Sequence, residues 1–146
     1  NRERLQFALT HGLAQETLPV LKGQSIKELL QFKSSPYVDV VFDCAAVDST
    51  VQDGMDVVRP GGKVVIVGVP VQRIPLDFKK IVFSEVDLIG SSRCVDEFRE
   101  VITMLSEKRI DVSSFITHRY SFEEAVRAFE ESETYSEGRI KSVIEM

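Results

Sequence analysis

Pro60-Gly-Gly-Lys-Val-Val-Ile-Val-Gly68 is the stretch from which the fold of this chain can be read. A turn triplet opens it, a β-branched run fills it and a glycine closes it. Upstream lies a second run, Val38-Asp-Val-Val-Phe-Asp-Cys44, followed by Ala45-Ala46. Short apolar runs bounded by turn residues predict parallel strands buried on both faces. In an open α/β sheet, ligands bind at the carboxyl ends of the strands. Small residues there admit a flat cofactor close to the backbone. Together the two runs predict the second half of a nucleotide-binding sheet.

Around this centre, helical and strand patterns alternate. Arg2 to His11 places Leu5, Ala8 and Leu9 on one helical face, with Gly12 as the stop. Ala14 to Thr17 reads as a short strand. Gln24 to Phe32 reads as a helix, with Ser25 as N-cap and Ile26, Leu29 and Leu30 inward. Asp48 is expected to cap a helix to Val58 that buries Val51, Met55 and Val58. Pro60-Gly61-Gly62 turns into the strand Lys63 to Val67. Pro70 to Asp77 carries two prolines and reads as an irregular or edge segment.

Val86 to Ser91 is a further strand. Val95 to Glu107 is amphipathic, with Phe98, Val101, Ile102 and Leu105 on its inner face. Ile116 to Tyr120 is a short strand. Ser121-Phe-Glu-Glu124 is a capping box that opens a helix to Glu131, burying Ala125, Ala128 and Phe129. Arg139 to Ile144 closes the chain as a strand. The alternation predicts an α/β fold with a largely parallel sheet.

Composition narrows the function. The 146 residues are 43% hydrophobic and 28% charged, as in ordinary globular proteins. A net charge of −5 argues against a general nucleic-acid surface, which needs clustered Lys and Arg. No apolar stretch approaches the ~20 residues that span a membrane. The polar start Asn1-Arg-Glu-Arg4 has no secretory signal pattern. Cys44 and Cys94 read as reduced, buried thiols, which fits a cytoplasmic location. These two and His11 and His118 sit on separate elements without ligand spacing, so no metal site is expected within the segment. The chain opens inside a helical pattern without Met, and the expectation is a truncated piece of a longer protein.

Val38-Asp-Val-Val-Phe-Asp-Cys44, Arg59-Pro-Gly-Gly-Lys-Val-Val-Ile-Val-Gly68, Asp87-Leu-Ile-Gly-Ser91 and Ile116-Thr-His-Arg-Tyr-Ser-Phe-Glu-Glu-Ala125 occur in this order. The series resembles the zinc-dependent medium-chain dehydrogenase/reductase family, in its polyol branch of the sorbitol (L-iditol) dehydrogenase type. The resemblance covers essentially the whole chain. It implies a C-terminal part only: the Gly-rich phosphate-binding turn, the ribose-binding acid and the zinc ligands of the family pattern belong upstream of Asn1. Residues 1–93 would complete the NAD-binding Rossmann domain. Residues 94–146 would form a crossover helix and the C-terminal part of the catalytic domain.

The resemblance also implies roles. Arg4, by itself a solvated surface arginine, matches the basic position that contacts the adenosine end of the cofactor. Cys44, Ala45 and Ala46 would line the adenine pocket, although they also read as packing residues at a strand end. Val67, Gly68 and Val69 would run past the nicotinamide and bond its carboxamide through the backbone. Ser91, Ser92 and Arg93 would lie beside the nicotinamide, with Arg93 reaching the substrate hydroxyls. This chain has Cys94 where the polyol enzymes commonly carry an aromatic residue.

The implied function is NAD-linked (or NADP-linked) oxidation of a polyol or secondary alcohol. Zinc would be supplied by the full-length enzyme, and the segment alone would be inactive. The edge Val69 to Pro75 would pair with its copy in a homo-dimer or homo-tetramer. Three other readings fit parts of the pattern. A class I methyltransferase shares the aspartate-rich strand and the Pro-Gly-Gly turn, but Ile116 to Met146 lacks its antiparallel hairpin. The others are a zinc-free NADPH quinone reductase and a non-catalytic nucleotide-binding or assembly module.

Overall fold

In the computed structural model, every residue is described except Lys22, Phe32, Ser34, Val95 and 134–137. The chain divides into two compact units, Asn1–Pro19 with Val95–Met146, and Val20–Cys94.

The Val20–Cys94 unit holds helix α2 (Ile26–Leu30), strand β1 (Val38–Asp43), helix α3 (Asp48–Val57), strand β2 (Val58–Ile66), helix α4 (Phe78–Ser84) and strand β3 (Asp87–Gly90). The three strands form one parallel sheet in the order β1-β2-β3. Val41 pairs with Val64, which pairs with Leu88. The side chains of Met55 on α3, Val58 and Val64 on β2, and Val86 form the core, with Val41, Ile66 and Ile81 packed around it. Val64 is fully buried. The core thus lies on the α3 side of the sheet.

The opposite face differs from the expectation of strands buried on both faces. Phe42, paired with Val65 and through it with Ile89, is 67% exposed, and Val40 and Ile89 are exposed too. The cause is the alternation of side chains along a strand. Val41 and Asp43 turn to α3, while Val40 and Phe42 turn away. The Pro60-Gly61-Gly62 turn becomes part of β2. Register jumps from the Val38–Val58 pair to the Val40–Lys63 pair, so the triplet bulges out of the ladder. Gly61 takes φ +68°, and a Cβ on Gly62 would meet the Val58 side chain and the Asp39 carbonyl oxygen below 3 Å.

The other unit contains helix α1 (Arg2–Thr10), helix α5 (Glu97–Ser106), strand β4 (Ile116–Ser121), helix α6 (Ala125–Glu133) and strand β5 (Lys141–Glu145). Asn1 caps α1 by accepting from the amides of Glu3 and Arg4. The strands β4 and β5 pair in parallel. The capping box forms as expected, with the Ser121 amide donating to Glu124 Oε2 at 3.1 Å. It opens a 3-10 turn, Phe122–Glu124, that leads into α6.

A buried tyrosine clamps this unit. The Tyr120 hydroxyl donates to Glu131 Oε2 at 2.6 Å, and Arg139 bonds both groups at 2.9 and 3.1 Å. Arg127 reaches the other Glu131 oxygen at 2.8 Å. The Tyr120 bond, then those of Arg127 and Arg139, hold the Glu131 carboxyl down to about 2.

Several local expectations are corrected. Ala14 to Thr17 forms no strand. The second helix is Ile26–Leu30, and Phe32 lies outside the described residues. Val47 rather than Asp48 precedes α3 as its N-cap. Helix α4 follows the proline-containing segment and is capped by Asp77, which accepts from the Lys80 amide. The helix expected from Val95 begins at Glu97, and Val95 itself lies outside the described residues. Its apolar residues Phe98, Val101, Ile102 and Leu105 are exposed rather than inward. On α6, Ala128 is buried but Phe129 is 69% exposed. An amphipathic pattern defines a face; it buries that face only where another element covers it.

Candidate functional site

The carboxyl edge of the β1-β2-β3 sheet is organised by one buried acid. Asp43 ends β1 and is only 5% exposed. Its Oδ1 accepts from the amides of Ala45 and Ala46, each at 2.9 Å. Its Oδ2 lies 2.9 Å from the Thr50 hydroxyl on α3. Its main-chain carbonyl accepts from the amides of Val67 and Gly68 at 2.8 and 3.0 Å. One residue therefore joins the end of β1, the turn after it, the first turn of α3 and the exit of β2. The Ser91 amide bonds the Ile66 carbonyl at 2.9 Å and adds the exit of β3.

Backbone geometry at this edge is unusual. Among the described residues, four other than glycine have φ in the left-handed region: Ala46 (+49°), Glu85 (+51°), Arg93 (+58°) and Lys108 (+55°). Glu85 ends α4 and Lys108 follows α5, where such geometry is routine. Ala46 and Arg93 instead follow β1 and β3. Strain of this kind gathers at functional sites when the surroundings hold it in place.

Ala45 and Ala46 line one wall of a cavity of about 300 Å³, whose other wall is Val69 and Val71 to Ile74. That volume is at the lower end of small-molecule sites, roughly 300–1,000 Å³. It suits one ring system rather than a whole dinucleotide. Cys44 is exposed and is not one of its lining residues. Gly68 does not leave space for a ligand by lacking a side chain. A Cβ there would lie 2.8 Å from the Ala45 carbonyl carbon and the Ala46 nitrogen, so the missing atom is needed within the fold. Ser91, Ser92, Arg93 and Cys94 are exposed.

The structure gathers Ala45, Ala46 and Val69 at one cavity and ties Val67 and Gly68 to the same Asp43. Arg4 belongs to the other unit. It is exposed on α1 and lines a cavity of about 330 Å³ with Phe7, His11 and Arg139. His11 stacks on Phe7 with ring centroids 4.1 Å apart. The His118 Nδ1 lies 3.0 Å from the Thr117 hydroxyl. Among the described residues, no group of three His, Cys, Asp or Glu is placed to hold a metal ion. No described helix is long and apolar enough to cross a membrane.

Both cysteines are free thiols, but they are exposed, not buried as expected. Cys44 lies beyond the last ladder pair of β1, where the strand no longer shields it. The residue missed in the sequence is Asp43. Its signal was present: an acid at the end of an apolar strand, directly before small turn residues.

Val69 to Pro75 forms no strand, and Val69 and Val71 are 82% and 99% exposed. Gln52 Nε2 on α3 anchors the far end of this segment by donating to the Pro75 carbonyl at 2.5 Å.

Comparison with known proteins agrees with this architecture. The family model described as zinc-binding dehydrogenase matches residues 1–107. The D-xylulose reductase of Saccharomyces cerevisiae is 34% identical over 143 residues, covering 96% of this chain and 39% of that protein. The sorbitol dehydrogenase of Mus musculus is 35% identical over 92 residues, covering 63% of this chain and 26% of that protein. The chain thus spans well under half the length of the relatives it matches. A solved structure described as a short chain alcohol dehydrogenase from Escherichia coli CFT073, complexed with NADH, superposes with a TM-score of 0.91. It is 20% identical and covers all of this chain and 42% of that one, a likeness of fold.

Proposed function

The chain belongs to the zinc-binding dehydrogenase family, and from that premise we propose that it is the cofactor-side, C-terminal part of a dehydrogenase acting on a polyol or secondary alcohol. The family match favours this reading over a methyltransferase-like domain. The observation that carries it is the carboxyl edge of the parallel sheet. There Asp43 binds the β1–α3 turn and the exit of β2 to each other beside a cavity walled by Ala45, Ala46 and Val69.

A nicotinamide dinucleotide, NAD or NADP, fits this edge in part. Ala45 and Ala46, with Cys44 beside them, offer a flat, small-residue wall to a ring. The backbone of Val67 and Gly68, leading into Val69, is fixed by the Asp43 carbonyl rather than by its own side chains, as a backbone reader requires. When bound, the nicotinamide supplies the acceptor for hydride from the carbinol carbon. Ser91, Ser92 and Arg93 would flank it, with Arg93 orienting the substrate hydroxyls by its guanidinium. Among the described residues no donor set fits zinc. In this reading residues 1–93 complete the cofactor domain, residues 94–146 belong to the catalytic domain, and copies associate through Val69 to Pro75.

The test is an NMR titration of the chain with NADH and with NADPH. Shifts are expected at Cys44 to Ala46, Val67 to Val69 and Ser91 to Arg93. Shifts confined to other residues would reject this edge as the cofactor site. With added zinc and several polyols, the chain alone should form no NADH, and sustained turnover would reject the partial-enzyme reading. In a full-length enzyme, Arg93→Ala should impair polyol turnover more than oxidation of a monohydric alcohol. Equal losses would remove Arg93 from the substrate side.

A further inference from the structure

We propose that Ala46 is a positioning residue whose methyl group holds the Val67–Gly68 backbone in place. Its role toward a cofactor rests on the reading above; the packing does not. Alanine is a poor choice for this backbone, because φ of +49° brings its Cβ toward a carbonyl oxygen. Glycine adopts that conformation without the clash. Yet Ala46 is 3% exposed, and its amide is fixed by Asp43 Oδ1 at 2.9 Å. The surroundings therefore hold a side chain where the backbone alone favours none.

What that side chain does is visible at Gly68. A Cβ built on Gly68 would lie 2.9 Å from the Ala46 Cβ and 2.8 Å from the Ala46 nitrogen. The site has room for one side-chain carbon between the two strand exits, and Ala46 supplies it. Asp43 holds the Val67 and Gly68 amides from one side through its carbonyl. The Ala46 methyl packs at Gly68, 2.9 Å from where a Cβ would stand. Removing it leaves every hydrogen bond in place and takes away only the packing. The β2 exit would then move about its Asp43 anchor without the unit unfolding.

Ala46→Gly separates this role from a merely structural one, because glycine relieves the backbone strain. The melting temperature of the chain should hold or rise. Amide hydrogen exchange at Val67 and Gly68 should nevertheless speed up by about tenfold, through local opening below the global unfolding free energy. The NADH dissociation constant, read by titration of a full-length enzyme carrying the same substitution, should weaken by about fivefold as the backbone reader loses its fixed geometry.

Unchanged exchange at Val67 and Gly68 would overturn the proposal. So would a lower melting temperature with exchange accelerated throughout the unit, which would make Ala46 an ordinary core residue. Faster local exchange with unaltered NADH affinity would overturn the cofactor role. A full-length enzyme that shows no NADH response would overturn the functional reading, while the exchange measurement on the chain would still decide the packing claim.

Discussion

Asp43→Ala is the sharpest test of how the carboxyl edge is built. The substitution removes the acceptor for three donors. The Ala45 amide belongs to an exposed residue and can turn to water. The Thr50 hydroxyl has a second acceptor in the Val47 carbonyl at 3.1 Å. The Ala46 amide has neither recourse, because Ala46 is buried and Asp43 Oδ1 is its partner. A buried donor left unsatisfied costs about 1–3 kcal/mol, and loss of the charge-assisted bond to Ala45 adds roughly 1 kcal/mol. The expected destabilisation is about 2–4 kcal/mol, a large share of the ~5–15 kcal/mol that holds a typical domain. Asp43→Asn keeps Oδ1 for both amides and turns an NH2 toward Thr50. That hydroxyl can accept it while donating to Val47. The asparagine variant should lose only about 1 kcal/mol, chiefly the charge assistance. Urea denaturation followed by circular dichroism measures both. A loss below ~0.5 kcal/mol for alanine, or equal losses for the two variants, would refute the assignment of Asp43 as the hub.

Gly68→Ala drives a Cβ to 2.8 Å from backbone atoms of Ala45 and Ala46 and should cost about 1–3 kcal/mol, whereas Gly90→Ala meets nothing within 4 Å and should be neutral or mildly stabilising; urea titration of the pair checks the contrast. Glu131 is depressed to about 2, so its stabilising effect is present above its ordinary 4.5 and is lost as pH falls from there toward 2. Melting temperatures across that window should drop more steeply for wild type than for Glu131→Gln, and parallel curves would remove Glu131 from the clamp. Val71→Lys should weaken self-association in sedimentation runs at matched concentration, since an isologous contact brings the two ammonium groups together; a wild-type monomer would reject that edge. A colorimetric thiol reagent should react rapidly with both Cys44 and Cys94 in the folded chain, and a slow equivalent would contradict their exposure.

Strand and helix order was legible because the signals are local. The Val38 and Val64 runs, the Ser121–Glu124 capping box and the Ser25 N-cap each depend on residues a few positions apart, and each appears where the spacing places it. Helix α4 is less legible because its seven residues are too few to establish a helical period, although Asp77 caps it through the Lys80 amide. Which residues would be buried was less legible. Phe129 and Phe98 share helical faces with apolar neighbours, but no local pattern states whether a neighbour covers that face. The exposure of the cysteines has a related cause. Residue type favours burial of a thiol, whereas position just past the ladder exposes it.

The candidate site shows a deeper limit of reading glycines and small residues as openings. Gly68 attracts attention because it follows an apolar strand at the ligand-binding end of a sheet. Its missing side chain is consumed by Ala45 and Ala46, which approach within 2.8 Å of where a Cβ would be. The same small residues that face the cavity on one side pack against β2 on the other. A sequence displays only that the residues are small, and it does not say which side the smallness serves. Asp43 resolves this. A buried carboxylate that binds two successive turn amides fixes the turn in three dimensions, and its carbonyl fixes the facing strand exit. Whatever approaches this edge therefore meets a backbone whose shape is set from inside the protein, before any ligand contributes. A pre-set edge of this kind avoids ordering its own backbone on binding.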